Sequence, residues 1–364
     1  MKTRIIRFVC LLALWPFLVS CDQEPLFYDI SMEIPPIEPV IGGGPSRIVE
    51  YGGNLYVSNG TVWEYNSASW YKMPSQPPSG NIKALAQTTS YLFALGWNGT
   101  LWRWDGTNWT SIGTGGTQPE QIFGVGTDLF AGAKTGAAGT ADGYCILTLN
   151  GSDTNLFVIA SSTGLLMGAA SDGSDVFLGI LGKGVVIATS PTAIIPGSAA
   201  SIIGLYKHGS VIVAVTTGGA LLYYDSLNFN TLLATGSIFS GAMASWSHGT
   251  DTMLLLGIQN SSGAYGYGYR ELHWNGNISS LSSASRSLYY PGEGSPSSVV
   301  RDIQYTTAIG NHAVMALYVR PAGFSPAADG DGRPIIFAST VKDGLWAYRT
   351  RDGRPQWNGE DNGS

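Results

Sequence analysis

The chain has 364 residues, of which 49 are glycine and 18 proline, with 44% hydrophobic, 11% aromatic and only 12% charged; an average soluble protein has about 25% charged. That balance excludes a long-helix or coiled-coil protein, which would be rich in Ala, Glu, Lys and Leu, and a disordered chain, which could not bury so much apolar surface. A net charge of −6 without a long basic block leaves no electrostatic footprint for nucleic acid.

Lys2, Arg4 and Arg7 precede an apolar run from Phe8 to Val19 that is too short to span a hydrocarbon core of about 30 Å. Residues 1–20 therefore predict a secretory signal peptide. Leu18-Val19-Ser20-Cys21 resembles the bacterial lipobox, which implies a lipoprotein. On that resemblance the chain is cut before Cys21, whose thiol carries diacylglycerol and whose new amine is acylated. The competing reading is a plain signal peptide with an incidental cysteine. Two or three acyl chains suffice for stable anchoring, so the membrane is the first partner expected. Cleavage removes three basic and no acidic residues and takes the net charge from −6 to −9, which speaks against direct adhesion to an anionic surface. Of the three cysteines, Cys10 leaves with the signal and Cys145 then has no disulfide partner.

Residues 21–46 hold five prolines, Pro25, Pro35, Pro36, Pro39 and Pro45, and the run Gly42-Gly43-Gly44; that composition discourages a packed core, and the stretch reads as a tether from membrane to domain. Beyond it the sequence repeats. Leu55-Tyr-Val-Ser-Asn59-Gly60-Thr61-Val62-Trp63-Glu64-Tyr65 returns as Leu92-Phe-Ala-Leu-Gly-Trp-Asn98-Gly99-Thr100-Leu101-Trp102-Arg103-Trp104. Each copy is an alternating strand, an Asn-Gly turn expected to supply the positive φ angles of a tight hairpin, and a second strand. The grammar recurs at Leu149-Asn150-Gly151, Tyr224-Asp225-Ser226, Trp274-Asn275-Gly276 and Tyr348 with Asp352-Gly353, and more weakly over 175–188.

A period near 40 built of four short strands marks a β-propeller blade. The fold class expected is all-β, a single propeller of about seven four-stranded blades over 47–359, with six to eight possible and a tail at 360–364. Blades are expected at about 47–79, 80–119, 120–163, 164–199, 200–237, 238–287 and 288–359, the last long enough for two. Strands covered on both faces, such as Val211–Val215 and Met253–Ile258, explain the scarcity of charge. A pair of sandwiches or a β-helix is the competing all-β arrangement. Through Asn-Gly-Thr, a branched residue, Trp, one residue and an aromatic, the repeat resembles those of extracytoplasmic sensor-type and Kelch-like propellers. The glycine pairs of Kelch are inconsistent and the sialidase Asp box is absent, so no single repeat family is assigned, and the resemblance bears on fold more than function.

Little in the sequence points to catalysis. His208, His248, His273 and His312 are scattered, and no nucleophile elbow accompanies them. Asp329 and Asp331 begin a calcium-like run, but Arg333 takes the next ligand place and no terminal Glu follows, so a solvated turn is the better reading. Asp172-Gly-Ser-Asp175 reads as a hairpin turn. The tryptophans recur at fixed blade positions and read as packing between blades rather than as sugar platforms. No cofactor is expected.

Departures from the period are the better candidates. Insertions at 134–143, 259–269 and 288–293 are expected on one common face, and they carry Tyr265, Tyr267, Tyr289, Tyr290 and Glu293. Tyrosine makes effective contacts at low entropic cost, although Tyr-Gly alternation would equally serve packing. The insertion 322–333 belongs to either face. The expectation is a lipid-anchored, extracytoplasmic, non-enzymatic propeller that binds a protein partner. A lectin-like module for glycan or peptidoglycan is the alternative, and a hydrolase using the channel comes third. The anchor has a direct test: labelled palmitate should be incorporated into the intact protein and lost in Cys21→Ala, and unchanged labelling would refute lipidation.

Overall fold

Turn residues interrupt this chain every few positions, and the apolar segments between them form strands of two to ten residues. The computed structural model describes residues 41–65, 69–135, 143–236, 238–248, 251–260, 267–281, 288–289, 309–320, 335–351 and 354–360; the predicted signal peptide and Cys21 lie outside them. The strands build seven four-stranded antiparallel sheets, each a meander in chain order, and the sheets form a seven-bladed β-propeller. The blades cover 49–72, 82–112, 118–162, 166–194, 202–234, 239–289 and 314–359.

Sequence and structure differ at the sixth boundary. Leu288–Tyr289 is the outer strand of blade six and pairs with Tyr269–His273, so 288–359 supplies that strand and one blade, not two blades. The surplus length falls between Tyr289 and Val314 and between Arg320 and Ile335. The weak repeat at 175–188 does form strands, Val176–Ile180 and Gly184–Ile187 of blade four.

Seven apolar clusters occupy the seven interfaces between neighbouring blades, including the interface between blades seven and one. The middle strands are covered on both sides, as expected: Val211–Thr216 is buried throughout. At the narrow inner end the backbones approach so closely that some positions admit only glycine. A Cβ on Gly124 would meet the Gln87 carbonyl of the preceding blade.

The aromatic repeat has a specific use. The last aromatic of the third strand pairs across a short turn with the first residue of the fourth. Ring centroids stand 5.2 Å apart for Tyr65 and Trp70, 5.3 Å for Trp104 and Trp109, and 5.3 Å for Tyr224 and Phe229. Cross-strand aromatic pairs of this kind contribute about 0.2–1 kcal/mol each. Two of the turns are closed by aspartate: Asp105 accepts from the backbone N–H groups of Thr107 and Asn108, and Asp225 from those of Leu227 and Asn228.

The Asn-Gly turns are not the two-residue type with two positive φ angles. In each, only the glycine is left-handed, Gly60 at 101° and Gly99 at 79°. The Gly99 N–H closes on the Gly96 carbonyl and the Gly96 N–H on that of Thr100. A three-residue connection needs one left-handed residue, and that residue forms the bulge that matches strand twist.

No strand is shared between the first and last blades, so closure relies on packing and side chains. Residues 41–46, which the sequence places in the tether, lie against blade seven: Leu345 donates its N–H to the Ile41 carbonyl, Gly344 to that of Gly43, and the Ser339 hydroxyl to that of Ser46. Phe337 meets Tyr65 and Trp70 edge-on at 5.6 and 5.7 Å. Glu360, in the stretch read as a tail, is fully buried. Its carboxylate accepts from Trp70 Nε1 at 2.9 Å and pairs with Arg349 at 2.9 Å.

Breaking a buried pair from one side leaves an uncompensated charge, a loss of about 3–5 kcal/mol. Arg349→Ala should therefore lower unfolding stability by about 3 kcal/mol, read as a fall in the urea midpoint. Lys342→Ala at an exposed turn should change stability by no more than about 0.5 kcal/mol.

Candidate binding face

A meander that starts at the ring axis sends its second-to-third turns and its blade-to-blade links to one end, here termed upper. The first-to-second and third-to-fourth turns go to the lower end. The strand ends flanking 134–143, 259–269 and 290–313 all lie at the upper end, as the sequence reading required. Arg320 and Ile335, flanking 322–333, lie at the lower end.

Among the residues singled out in these insertions, Tyr265, Tyr290, Glu293, Asp329 and Asp331 fall outside the described residues. Tyr267 is half-buried at the upper end of blade six, next to Gly268, whose N–H donates to the His312 carbonyl. Tyr289 closes the outer strand of the same blade, opposite Glu271. Tyr267 precedes the third strand of the blade and Tyr289 ends its fourth, so the strand register does not pair them. The Asp172–Asp175 segment is the hairpin turn expected: Asp172 accepts from the N–H groups of Ser174 and Asp175. Trp70, Trp274, Trp346 and Trp357 are each at most 2% exposed and serve packing.

Trp97 is different, and the sequence reading passed over it. It stands 64% exposed in the upper turn of blade two, with Lys83 Nζ 5.8 Å from its ring centre. Lys83 pairs with Glu120 at 2.8 Å, and Lys134 approaches the same carboxylate at 3.8 Å. Beside Trp97 lies a cavity of about 460 Å³ between blades two and three, lined by Asn98, Thr100, Ser111, Thr114, Thr117 and Gln118 among others. Its side chains offer neutral hydroxyl and amide groups, a set suited to a polar, uncharged ligand.

Arg47 also enters at the upper end and reaches across the axis. It donates to the Ile122 carbonyl of blade three at 3.2 Å and stacks 4.1 Å over Phe123. Desolvation inside the ring lowers the pKa of its guanidinium to about 10, still far above neutral pH, and the residue keeps solvent exposure, so it stays charged.

The two ends differ in charge. Among the described residues the upper end carries Arg47, Lys72, Lys83, Lys134, Lys183 and Lys342 against Glu120, Asp343 and the buried Glu360. The lower end carries Glu50, Glu64, Asp105, Asp128, Asp153, Asp172, Asp175 and Asp225 against Arg103, Lys207 and Arg320. Among the described residues, net acidity is thus concentrated at the lower end.

Two described histidines sit in structural contacts. His312 pairs with Asp343 at 2.9 Å and packs on Trp346 at 4.7 Å. His208 is fully buried between blades five and six. Its Nε2 stands 2.6 Å from the Trp274 carbonyl and its Nδ1 2.7 Å from the Ser245 hydroxyl. A carbonyl can only accept, so Nε2 carries the proton and Nδ1 accepts from Ser245. Burial holds the His208 pKa below its ordinary value, against the smaller opposing effect of the Trp274 bond.

No family model matches the chain. A curated relative from Treponema pallidum (strain Nichols), an uncharacterized lipoprotein, is 34% identical over 86 residues, covering 22% of this chain and 18% of its own length. The chain thus matches less than a fifth of that relative. Two solved structures share the fold, each 11% identical with a TM-score of 0.51: Saccharomyces cerevisiae Sqt1, over 89% of this chain and 87% of its own, and the computationally designed Ika8 protein, over 90% of each.

His208 has a consequence for stability. Its folded pKa lies below the unfolded value of about 6.5, so its neutral form is fully accommodated above that pH. As pH falls from about 6.5 toward the folded value, the unfolded chain takes up a proton that the folded chain resists, and stability declines. The melting temperature should be lower at about pH 5.5 than at about pH 7.5, and His208→Gln should shrink that difference.

Proposed function

We propose that the chain is a lipid-anchored, extracytoplasmic scaffold that acts without catalysis and holds a protein partner on the upper end of its propeller. The observation that carries this reading is the arrangement of that end: three long insertions leave it together, and its basic residues outnumber its acidic ones among the described residues. Loops on a rigid frame are the usual place for recognition, and a basic surface suits a partner with acidic groups. The lipobox-like Leu18–Cys21 supports the anchor, as does the relative described as a lipoprotein. The packing roles of His208 and His312 support a role without chemistry.

A second reading, a lectin-like module, is favoured by the cavity lined with hydroxyl and amide groups beside Trp97. Indole faces stack on sugar rings, and neutral polar side chains match sugar hydroxyls.

Affinity isolation of the membrane-anchored protein separates the two. On the first reading the co-purified protein is lost when Tyr289 and Tyr290 become Ala and is weakened by Lys134→Glu. On the second, the protein selects glycans on an array and Trp97→Ala abolishes that selection by about tenfold or more. A metal-dependent turnover abolished by Asp329→Ala or Asp331→Ala would overturn the non-enzymatic assignment.

A further inference from the structure

At the opposite end, blades one and two enclose a cleft that neither reading uses. It has a volume of about 390 Å³ and is lined by Tyr51, Tyr56, Glu64, Met73, Ser75 and Trp104 among others. Tyr56 and Glu64 face each other across the second and third strands of blade one, and Tyr56, Met73 and Trp104 belong to the apolar cluster between the two blades. Glu64 is half-buried at the cleft and accepts from the Asn54 amide at 2.6 Å and the Tyr56 hydroxyl at 3.2 Å, both on the same oxygen. No described lysine or arginine pairs with it.

The next blade interface shows what that position takes. Arg103 occupies in the second repeat the place of Glu64 in the first. Its guanidinium lies 4.5 Å over Tyr91 and donates to the Ser152 and Asp153 carbonyls. There the chain supplies its own cation over an aromatic ring; between blades one and two it supplies the aromatic rings and an anion.

We propose that this cleft binds a small organic cation of the alkylammonium class, with Glu64 as counter-ion and Tyr51, Tyr56 and Trp104 as aromatic walls. Aromatic rings attract ammonium groups electrostatically, and quaternary ammonium ions suit such cages because they are weakly hydrated and bring apolar methyl groups. Asp105, next to lining residue Gly106, lies close enough to raise the Tyr51 pKa, after burial as the larger cause. The acidity of the lower end concentrates cations at the mouth.

Calorimetry on the full-length protein in a maltoside detergent, with choline and tetramethylammonium as probes, tests the site. Both should bind in the range of about 1 mM and compete with each other. The uncharged carbon isostere of choline should bind about tenfold more weakly, and Glu64→Gln should cost a similar factor. Ser75→Arg, at an exposed lining position, should place a competing cation beside Glu64 and abolish binding without disturbing the core; it keeps the test decisive if Glu64→Gln fails to fold. The proposal is overturned if choline gives no heat with folded protein, if the isostere or a neutral hexose binds as well as choline, or if folded Ser75→Arg binds as the parent does.

Discussion

Every blade interface but one has a covalent link across it. Blades seven and one are joined only by what their surfaces can do, because neither lends a strand to the other. A ring open at that seam would expose Trp70, Phe337, Leu55 and Leu345, all fully buried here, and would leave two blades with a bare apolar face. The seam therefore combines apolar packing with directional contacts: the aromatic trio of Tyr65, Trp70 and Phe337, the backbone bonds of 41–46, and the Glu360 carboxylate held between Trp70 and Arg349. Apolar packing supplies energy without choosing a register, whereas a buried carboxylate with fixed donors tolerates few alternatives. Desolvation makes such a pair a poor source of net stability, so its plausible physical contribution is to the uniqueness of the closed ring.

The same geometry accounts for the unusual composition. Blades are wedges, narrow at the axis, and the inner strands approach until side chains no longer fit. Gly204 and Gly241 face each other there, and a Cβ on either would meet the opposing backbone. Glycine is therefore set by approach between blades as well as by turns. Charge is displaced to the rim turns and ends for the complementary reason, that both faces of a middle strand are covered. With most charges at the two ends, Arg270 and Glu271 inside blade six being exceptions, the ends can differ, and a whole-chain net charge describes neither of them.

Much of the fold was legible because it rests on local rules repeated many times. The aromatic spacing around the third and fourth strands, as in Trp104 and Trp109, registers a cross-strand pair, and the acid-led turns register the hydrogen bonds that close it. What escaped was set by contacts remote in sequence. Nothing near Glu360 or Ile41 marks either as part of the seam, because their partners lie at the other end of the chain. The last blade was harder to delimit because its surplus residues fall between strands, where the period gives no guidance. The site was less legible than the fold. Tyr267 and Tyr289 stand out as candidates by departure from the period, but Trp97 is absorbed into it, since a tryptophan among repeated tryptophans reads as packing.

Aligning the two clearest repeats residue by residue separates these cases. Tyr65 and Trp104 share a role, as do Trp70 and Trp109, because both pairs hold a third strand to a fourth. Ser58, opposite Val62, and Leu95, opposite Leu101, share a position but not a chemistry: Ser58 is buried and donates to the Ile82 carbonyl of the next blade. Trp97 stands in the upper turn, which is two residues longer in the second repeat, and projects into solvent. Glu64 and Arg103 have opposite charge at one place in the blade. A position whose chemistry the fold dictates should keep that chemistry from repeat to repeat, since each blade poses the same packing problem. Where closely similar repeats diverge in charge, the fold has left the choice open, and Glu64 lines a cavity at such a position.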